Sequence, residues 1–280
     1  MGKSGRRLRL GLQTLLGLGA RGFFIPYRYA EGIGHGDLQA GFPEIEAILA
    51  ARQESFAAWL DAMGRYREDL AAIGADTPPE PRWNQDWFPR LDATMAYTLT
   101  RETRPTRIVE VGSGHSTRFF ARAVRDGGLE TRLLSIDPQP RATLEGLPIS
   151  FHRKTLQRAG MEPFEDLAAG DVVFIDSSHI LMPGTDLAVF LGRVLPRLPK
   201  GIHLHIHDIF LPDAYPEAWG WRGYNEQLAV LPLLLGGWEI LFASHYVATR
   251  MSDAVAASAA GALPLNAGAV ESSLWLKKLG

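Results

Sequence analysis

The chain of 280 residues contains no cysteine. That excludes disulfides, thiolate zinc sites, iron–sulfur clusters and cysteine nucleophiles, and leaves imidazole nitrogen and oxygen as the ligands available to a metal. An excess of charge is also missing. The 29 basic and 31 acidic side chains leave a net charge of −2, which argues against nucleic acid as the main partner. No uninterrupted apolar run reaches the roughly eighteen residues that a transmembrane helix needs. What is present, 46% hydrophobic and 21% charged residues, is the composition of an ordinary globular protein, for which a cytoplasmic location is expected: one large domain, or one domain with an attachment.

The first thirty residues differ from the rest. Lys3, Arg6, Arg7, Arg9, Arg21 and Arg28 all precede the first acid, Glu31. The apolar stretch 8–20 is broken by Arg9, Gln13, Thr14 and glycines; it is too short to span a bilayer and lacks a small-x-small cleavage site, so neither an anchor nor a signal peptide is expected. Arg6 occupies the position where acylation of Gly2 would need Ser or Thr. The plainer expectation is an arm packed on its own protein or on a partner subunit of a homo-oligomer; weak association with an anionic membrane surface is the alternative.

From Pro43 to about Gly74, apolar residues including Ile45, Leu49, Phe56, Leu60, Met63 and Leu70 recur at helical spacing. This predicts one long helix or a helical hairpin. The run TPPEP at 77–81 stops helix, and the aromatic cluster Trp83, Trp87 and Phe88 leads into a second helical stretch over 88–101. From Arg107 the texture becomes short apolar runs at 108–111, 133–136, 149–152, 172–175, 202–206, 240–243 and 274–276. Between them lie helix candidates at 116–126, 139–145, 162–168, 184–197 and 224–235. Strands alternating with helices predict a parallel sheet covered on both faces, an α/β fold. Before the last strand only a short helix within 250–262 is expected, and the Ala-rich stretch 254–270 reads as a surface insertion. The division expected is a helical N-terminal extension over 1–103 and a catalytic domain over 104–280.

The most informative segment is RIVEVGSGHSTRFF, residues 107–120. A strand carrying an acid turns through Gly112 and Gly114 into a helix, whose N-terminal N–H groups are free to meet a ligand. Asp137 closes the next strand, where a carboxylate can accept both hydroxyls of a ribose. Thr117 stands where a dinucleotide fold prefers a third glycine or an alanine, and Glu110 would repel a pyrophosphate. A ligand with a ribose and a cation suits both acids.

At these residues the chain resembles the class I methyltransferases that use S-adenosylmethionine, and the pieces EVGSGHST, FIDSSH, HIHDIF and SSLWLKK look like a bacterial branch of that superfamily. The resemblance implies a Rossmann-like sheet of seven strands in the order 3-2-1-4-5-7-6 with an antiparallel last strand. It implies cofactor contacts from Glu110, Gly112, Ser113, Gly114, Ser116, Asp137 and Asp176, and methyl transfer to an oxygen, less readily a nitrogen, of a small-molecule acceptor.

Strand four ends at Asp176 and strand five at His207 and Asp208, so their side chains reach one crevice at the carboxyl edge. This is similar to the catechol O-methyltransferase type, whose metal ligands correspond to Asp176, His207 and Asp208. The histidine departs from that family's acid and would shift preference from magnesium toward manganese, iron or zinc. His179 falls where that family has a lysine base, so His179 with Asp176 is the expected catalytic pair. The same acids could instead orient cofactor and acceptor without a metal. His203, His205 and His207 alternate along strand five, and the HxH pair His205/His207 leaves open a metal-dependent oxygenase or hydrolase. A non-catalytic binding or assembly protein is the third reading. His115 is expected to cap or line the cofactor pocket, 23–29 and 83–88 to act as a lid or pack, and Trp219, Trp221, Tyr224 and Asn225 to meet the acceptor.

Overall fold

The seven apolar runs are rich in Val, Ile, Leu and Phe, which suit a pleated surface packed on both sides. In the computed structural model, which describes residues 3–74 and 77–280 apart from the side chains at 3, 4, 35 and 38, they form β1 Arg107–Val111, β2 Arg132–Ile136, β3 Ile149–His152, β4 Val172–Ile175, β5 His203–Ile206, β6 Trp238–Ala243 and β7 Leu274–Lys278. The sheet order is β3-β2-β1-β4-β5-β7-β6. β1 to β5 pair in parallel, and β7 runs antiparallel to both of its neighbours. The expected strand order and the antiparallel last strand are therefore both present.

Six helices precede the sheet: α1 Lys3–Leu15, α2 His35–Leu38, α3 Pro43–Ala50, α4 Gln53–Met63, α5 Arg67–Ala71 and α6 Arg90–Thr103. Between strands lie α7 His115–Asp126, α8 Leu156–Ala159, α9 Asp186–Val189, α10 Glu226–Leu235, α11 Ser244–Arg250 and α12 Ser252–Ala257. The single helix or hairpin expected over 43–74 is in fact three helices, with breaks after Ala50 and Met63. No helix forms at 139–145, because Pro138, Pro140 and Pro148 deny that stretch the backbone donors and α-region geometry a helix requires. The expected helix at 162–168 is one 3₁₀ turn, Glu162–Phe164. The stretch at 184–197 is helical but irregular, passing from α9 through a π turn into a 3₁₀ turn that carries Pro196.

The Ala-rich stretch also departs from expectation. It is not a surface insertion: Val255, Ala259, Ala260 and Leu263 are buried, because small side chains let α12 and the following turn press close to α4 and α6. One hydrophobic core runs without interruption from Ile45 to Leu276 and includes side chains from both the helical segment and the sheet. α6 is buried from Leu91 to Thr100 and packs along α7. Phe56 of α4 meets Phe242 of β6 and Tyr246 of α11 edge to face, each at 5.9 Å between ring centres.

Truncating Phe56 to alanine is expected to cost about 3–5 kcal/mol. Chemical denaturation followed by near- and far-ultraviolet circular dichroism should still show one transition at a lower midpoint. Two separated transitions would show that α4 and the sheet do not share a core.

Candidate active site

Parallel pairing fixes what faces the carboxyl edge. Val111 is in register with Ile136 and Ile175, and Ile175 with Ile206. The next residues along these strands, Gly112, Asp137, Asp176 and His207, therefore stand in one row. Gly112 has φ +84°, and a Cβ there would lie 1.7 Å from the backbone oxygen of Asp176. Only glycine permits this approach of the β1 and β4 ends.

Glu110 lies beneath the turn and is fully buried. Its carboxylate accepts hydrogen bonds from the hydroxyls of Ser116 (2.6 Å), Thr117 (2.6 Å) and Ser135 (2.7 Å). Burial pushes its carboxyl up to about 7, against the lowering effect of the three hydroxyls. Thr117, unfavourable for a dinucleotide turn, has a specific task here: its oxygen also accepts the Gly114 N–H at 3.0 Å. Of the residues expected at the cofactor, Glu110, Gly114 and Ser116 are not among those lining the cavity above the turn, and Glu110 and Ser116 lie under the turn and hold it from below.

That cavity, about 1080 Å³, is lined at its base by Gly112, Ser113, Asp137 and Asp176. The Asp137 carboxylate accepts the Ser113 N–H at 2.7 Å and the Gln139 N–H at 2.6 Å, which fixes it at the rim with lone pairs to spare. Ile180, Met182, Trp221, Arg222 and Asn225 form one wall, and α1 with Phe23, Phe24 and Ile25 forms another. Of the expected acceptor contacts, Trp221 and Asn225 reach the cavity. Trp219 instead packs on Phe210, and the Arg222 guanidinium lies 3.9 Å over the Trp219 ring. Of the two expected lids only 23–25 lies at the cavity. Trp83 and Phe88 are core, and exposed Trp87 stacks on His115. His115 opens α7 behind the turn; burial brings its imidazole down to about 4.

Behind Asp176 lies a cluster of ionisable groups. His179 Nε2 is 3.3 Å from both Asp176 Oδ1 and Asp208 Oδ2, while its Nδ1 is 2.7 Å from Glu226 Oε2. His207 Nδ1 is 3.6 Å from Asp176 and 3.4 Å from Asp208, and its Nε2 is 3.2 Å from Asp92. The two central carboxylates therefore lie between two imidazoles, each backed by a further acid. Burial opposes charge on both rings, but the facing carboxylates outweigh it and hold His179 and His207 well above the ordinary imidazole range. Burial would likewise raise Asp176, yet His207 and His179 hold it well below the usual carboxylate range. His179 and Asp208 both adopt positive φ, +58° and +57°, a conformation uncommon for such residues that clusters at functional sites.

Asp176, His179 and Asp208 each present a ligand atom within 4.8 Å of the other two. The expected triad had His207 in place of His179; His207 meets the same two carboxylates from the far side. His179, expected as the base, is buried with Nδ1 on Glu226 and Nε2 facing Asp176 and Asp208, behind the cavity lining. His205, the other half of the HxH pair, packs in the core. It is stacked on Phe174 at 3.8 Å and bonded to Ser273 Oγ at 2.7 Å, while His203 faces the Gly170 carbonyl.

Two members of the cluster escaped the sequence reading. Glu226 opens an apolar helix, and Asp92 sits on α6, within the stretch assigned to the extension. Asp92 also accepts the backbone N–H groups of Ser272 and Ser273 at 2.9–3.1 Å. An acid among the otherwise uncharged residues 91–100 was the available signal for it.

Residues 109–209 match the family model described as a methyltransferase domain, which bears out the resemblance to class I methyltransferases over that stretch. No curated protein sequence matches the chain. Among solved structures, the O-methyltransferase TomG of Streptomyces achromogenes, in complex with S-adenosylmethionine, is 15% identical with TM-score 0.43, covering 84% of this chain and 96% of that one. The SAH-bound methyltransferase PaMTH1 of Podospora anserina is 16% identical with TM-score 0.44, covering 92% and 100%. The branched-chain polyamine synthase of Thermus thermophilus is 18% identical with TM-score 0.45, covering 77% and 64%. The fold assignment rests on the strand order itself.

The raised carboxyl of Glu110 gives a test of the loop. A carboxyl raised on folding stabilises below its unfolded value of about 4.5 and loses that contribution as the pH climbs through about 7. Wild-type stability should carry a component falling by on the order of 1 kcal/mol per pH unit between pH 5 and 7, and Glu110→Gln should lack it. Denaturant midpoints with the same pH slope in both proteins would refute the buried, hydroxyl-bonded carboxyl.

Proposed function

We propose that the protein transfers a methyl group from S-adenosylmethionine to an oxygen of a small-molecule acceptor, with a divalent cation assisting at Asp176, His179 and Asp208. The reading rests on one observation: the Gly112 turn brings Asp137 and Asp176 to the base of one cavity, within the stretch that matches a methyltransferase domain. S-adenosylmethionine supplies an electrophilic sulfonium methyl. Asp137 accepts the ribose hydroxyls, and Ser113 and the Gly112 backbone border the chain that carries the sulfonium. Asp176 is at once on the cavity surface and in the ionised cluster, so it meets the acceptor hydroxyl and takes its hydrogen bond. The acceptor oxygen would attack the methyl in line as the carbon–sulfur bond breaks onto sulfur, releasing S-adenosylhomocysteine, while the hydroxyl proton passes through Asp176 to solvent in the cavity.

The donor set fits a cation. Two carboxylates and an imidazole on a buried face suit manganese, iron or zinc better than the all-oxygen shell magnesium prefers. A divalent ion held there would lower the pKa of the acceptor hydroxyl as a Lewis acid. Glu226 orients His179 through Nδ1–H, so a cation bound at Nε2 would displace the Nε2 proton to solvent. His207, paired with Asp92, offsets the remaining negative charge of Asp176 and Asp208.

Calorimetry of the wild type with S-adenosylmethionine should show one site, and Asp137→Ala should abolish it; equal binding by both would overturn the donor assignment. Titration with manganese should show Glu226→Gln binding roughly ten- to a hundredfold more weakly than wild type. If manganese affinity is the same in both, or absent from the wild type, the cation has no place in the reaction.

A further inference from the structure

We propose that the N-terminal arm docks the protein on an anionic membrane surface. α1 has two faces. Arg6, Arg7, Leu10 and Thr14 turn inward and help to roof the cavity. Leu8, Leu12 and Leu16 turn outward and are exposed, from 47% to 67%, while Leu15, also exposed, sits at the cavity's edge. This stripe has no partner among the described residues. Leu18 adds to the exposed apolar surface after the helix ends, while Phe23 and Phe24, exposed as well, line the cavity. A soluble surface rarely leaves so many large apolar side chains uncovered in one place.

Charge identifies the occupant. Every charged residue from Lys3 to Arg28 is basic, while the chain as a whole carries −2. Arg9 stands on the helix beside the leucine stripe and Arg28 lies between the exposed Tyr27 and Tyr29, while Arg6, Arg7 and Arg21 border the cavity beneath. Apolar side chains bordered by basic ones match a layer of anionic headgroups over acyl chains. A protein partner would equally cover the leucines but gives no reason for a uniformly basic rim. No helix among the described residues is long and apolar enough to cross a membrane, so the arm lies on the surface. Because the inner face of α1 lines the cavity, docking sets that cavity about one helix diameter, roughly 10 Å, beneath the headgroups.

The test is co-sedimentation of the full chain with vesicles of phosphatidylcholine alone and of phosphatidylcholine with phosphatidylglycerol. Binding is expected to the anionic vesicles, to weaken in high salt, and to be at least tenfold weaker to the neutral ones. Leu12→Glu with Leu16→Glu should abolish it, and Arg9→Glu should weaken it at least fivefold, since each basic residue at such a surface is worth about that factor. Unchanged calorimetric binding of S-adenosylmethionine by these variants would show that the fold and the donor site are intact. Two results would overturn the proposal. One is wild-type protein that stays in the supernatant with anionic vesicles. The other is light scattering that finds a wild-type dimer and a monomeric Leu12→Glu/Leu16→Glu variant, which would make the stripe a subunit interface.

Discussion

Asp176 and Asp208 share one site, Asp208 buried and Asp176 open to the cavity, because an imidazole lies on each side of them. Two carboxylates this close repel each other, and the facing imidazoles offset that repulsion. The groups behind the imidazoles serve that balance. Glu226 fixes His179 from behind, Asp92 fixes His207, and α6 is held to the strand β7 entrance by the same Asp92 carboxylate. Glu271 completes the attachment: it pairs with Arg90 through two hydrogen bonds and accepts the Leu91 N–H at the start of α6. The helical segment is thus part of the site as well as part of the core.

The cluster would be inert if it were sealed on all sides. Parallel register puts Asp176 beside the Gly112 turn, where the backbone of the two strands nearly touches, so its carboxylate belongs to both the ionised group and the cavity. Asp137 reaches the same cavity one strand further along. A methyl donor seated against β1 and β2 and an acceptor oxygen at Asp176 would then be neighbours, and the proposed cation would lie on the acceptor's side of that pair.

Much of this was legible in the residues. Short apolar runs located all seven strands to within two residues, since a strand buried on both faces shows itself as continuous Val, Ile and Leu. The glycine turn, Asp137 and Asp176 could be read because they are local: each follows the end of a strand. Pro138 and Pro140 are just as local, and they exclude the helix expected at 139–145. Other features were not readable. Asp92 and Glu226 are brought to His207 and His179 across 115 and 47 residues of chain, and no local pattern records that meeting. The choice between His179 and His207 as third ligand depends on the left-handed backbone at His179, which turns its ring back between Asp176 and Asp208.

Diffraction with anomalous scattering from crystals grown with manganese and S-adenosylhomocysteine tests the central claim most directly. The account predicts one manganese peak in contact with Asp176, His179 Nε2 and Asp208, with the nucleoside against Asp137 and the sulfur facing Asp176. A crystal in which the nucleoside is bound while His179 still pairs with both carboxylates, with no peak between them, would contradict it.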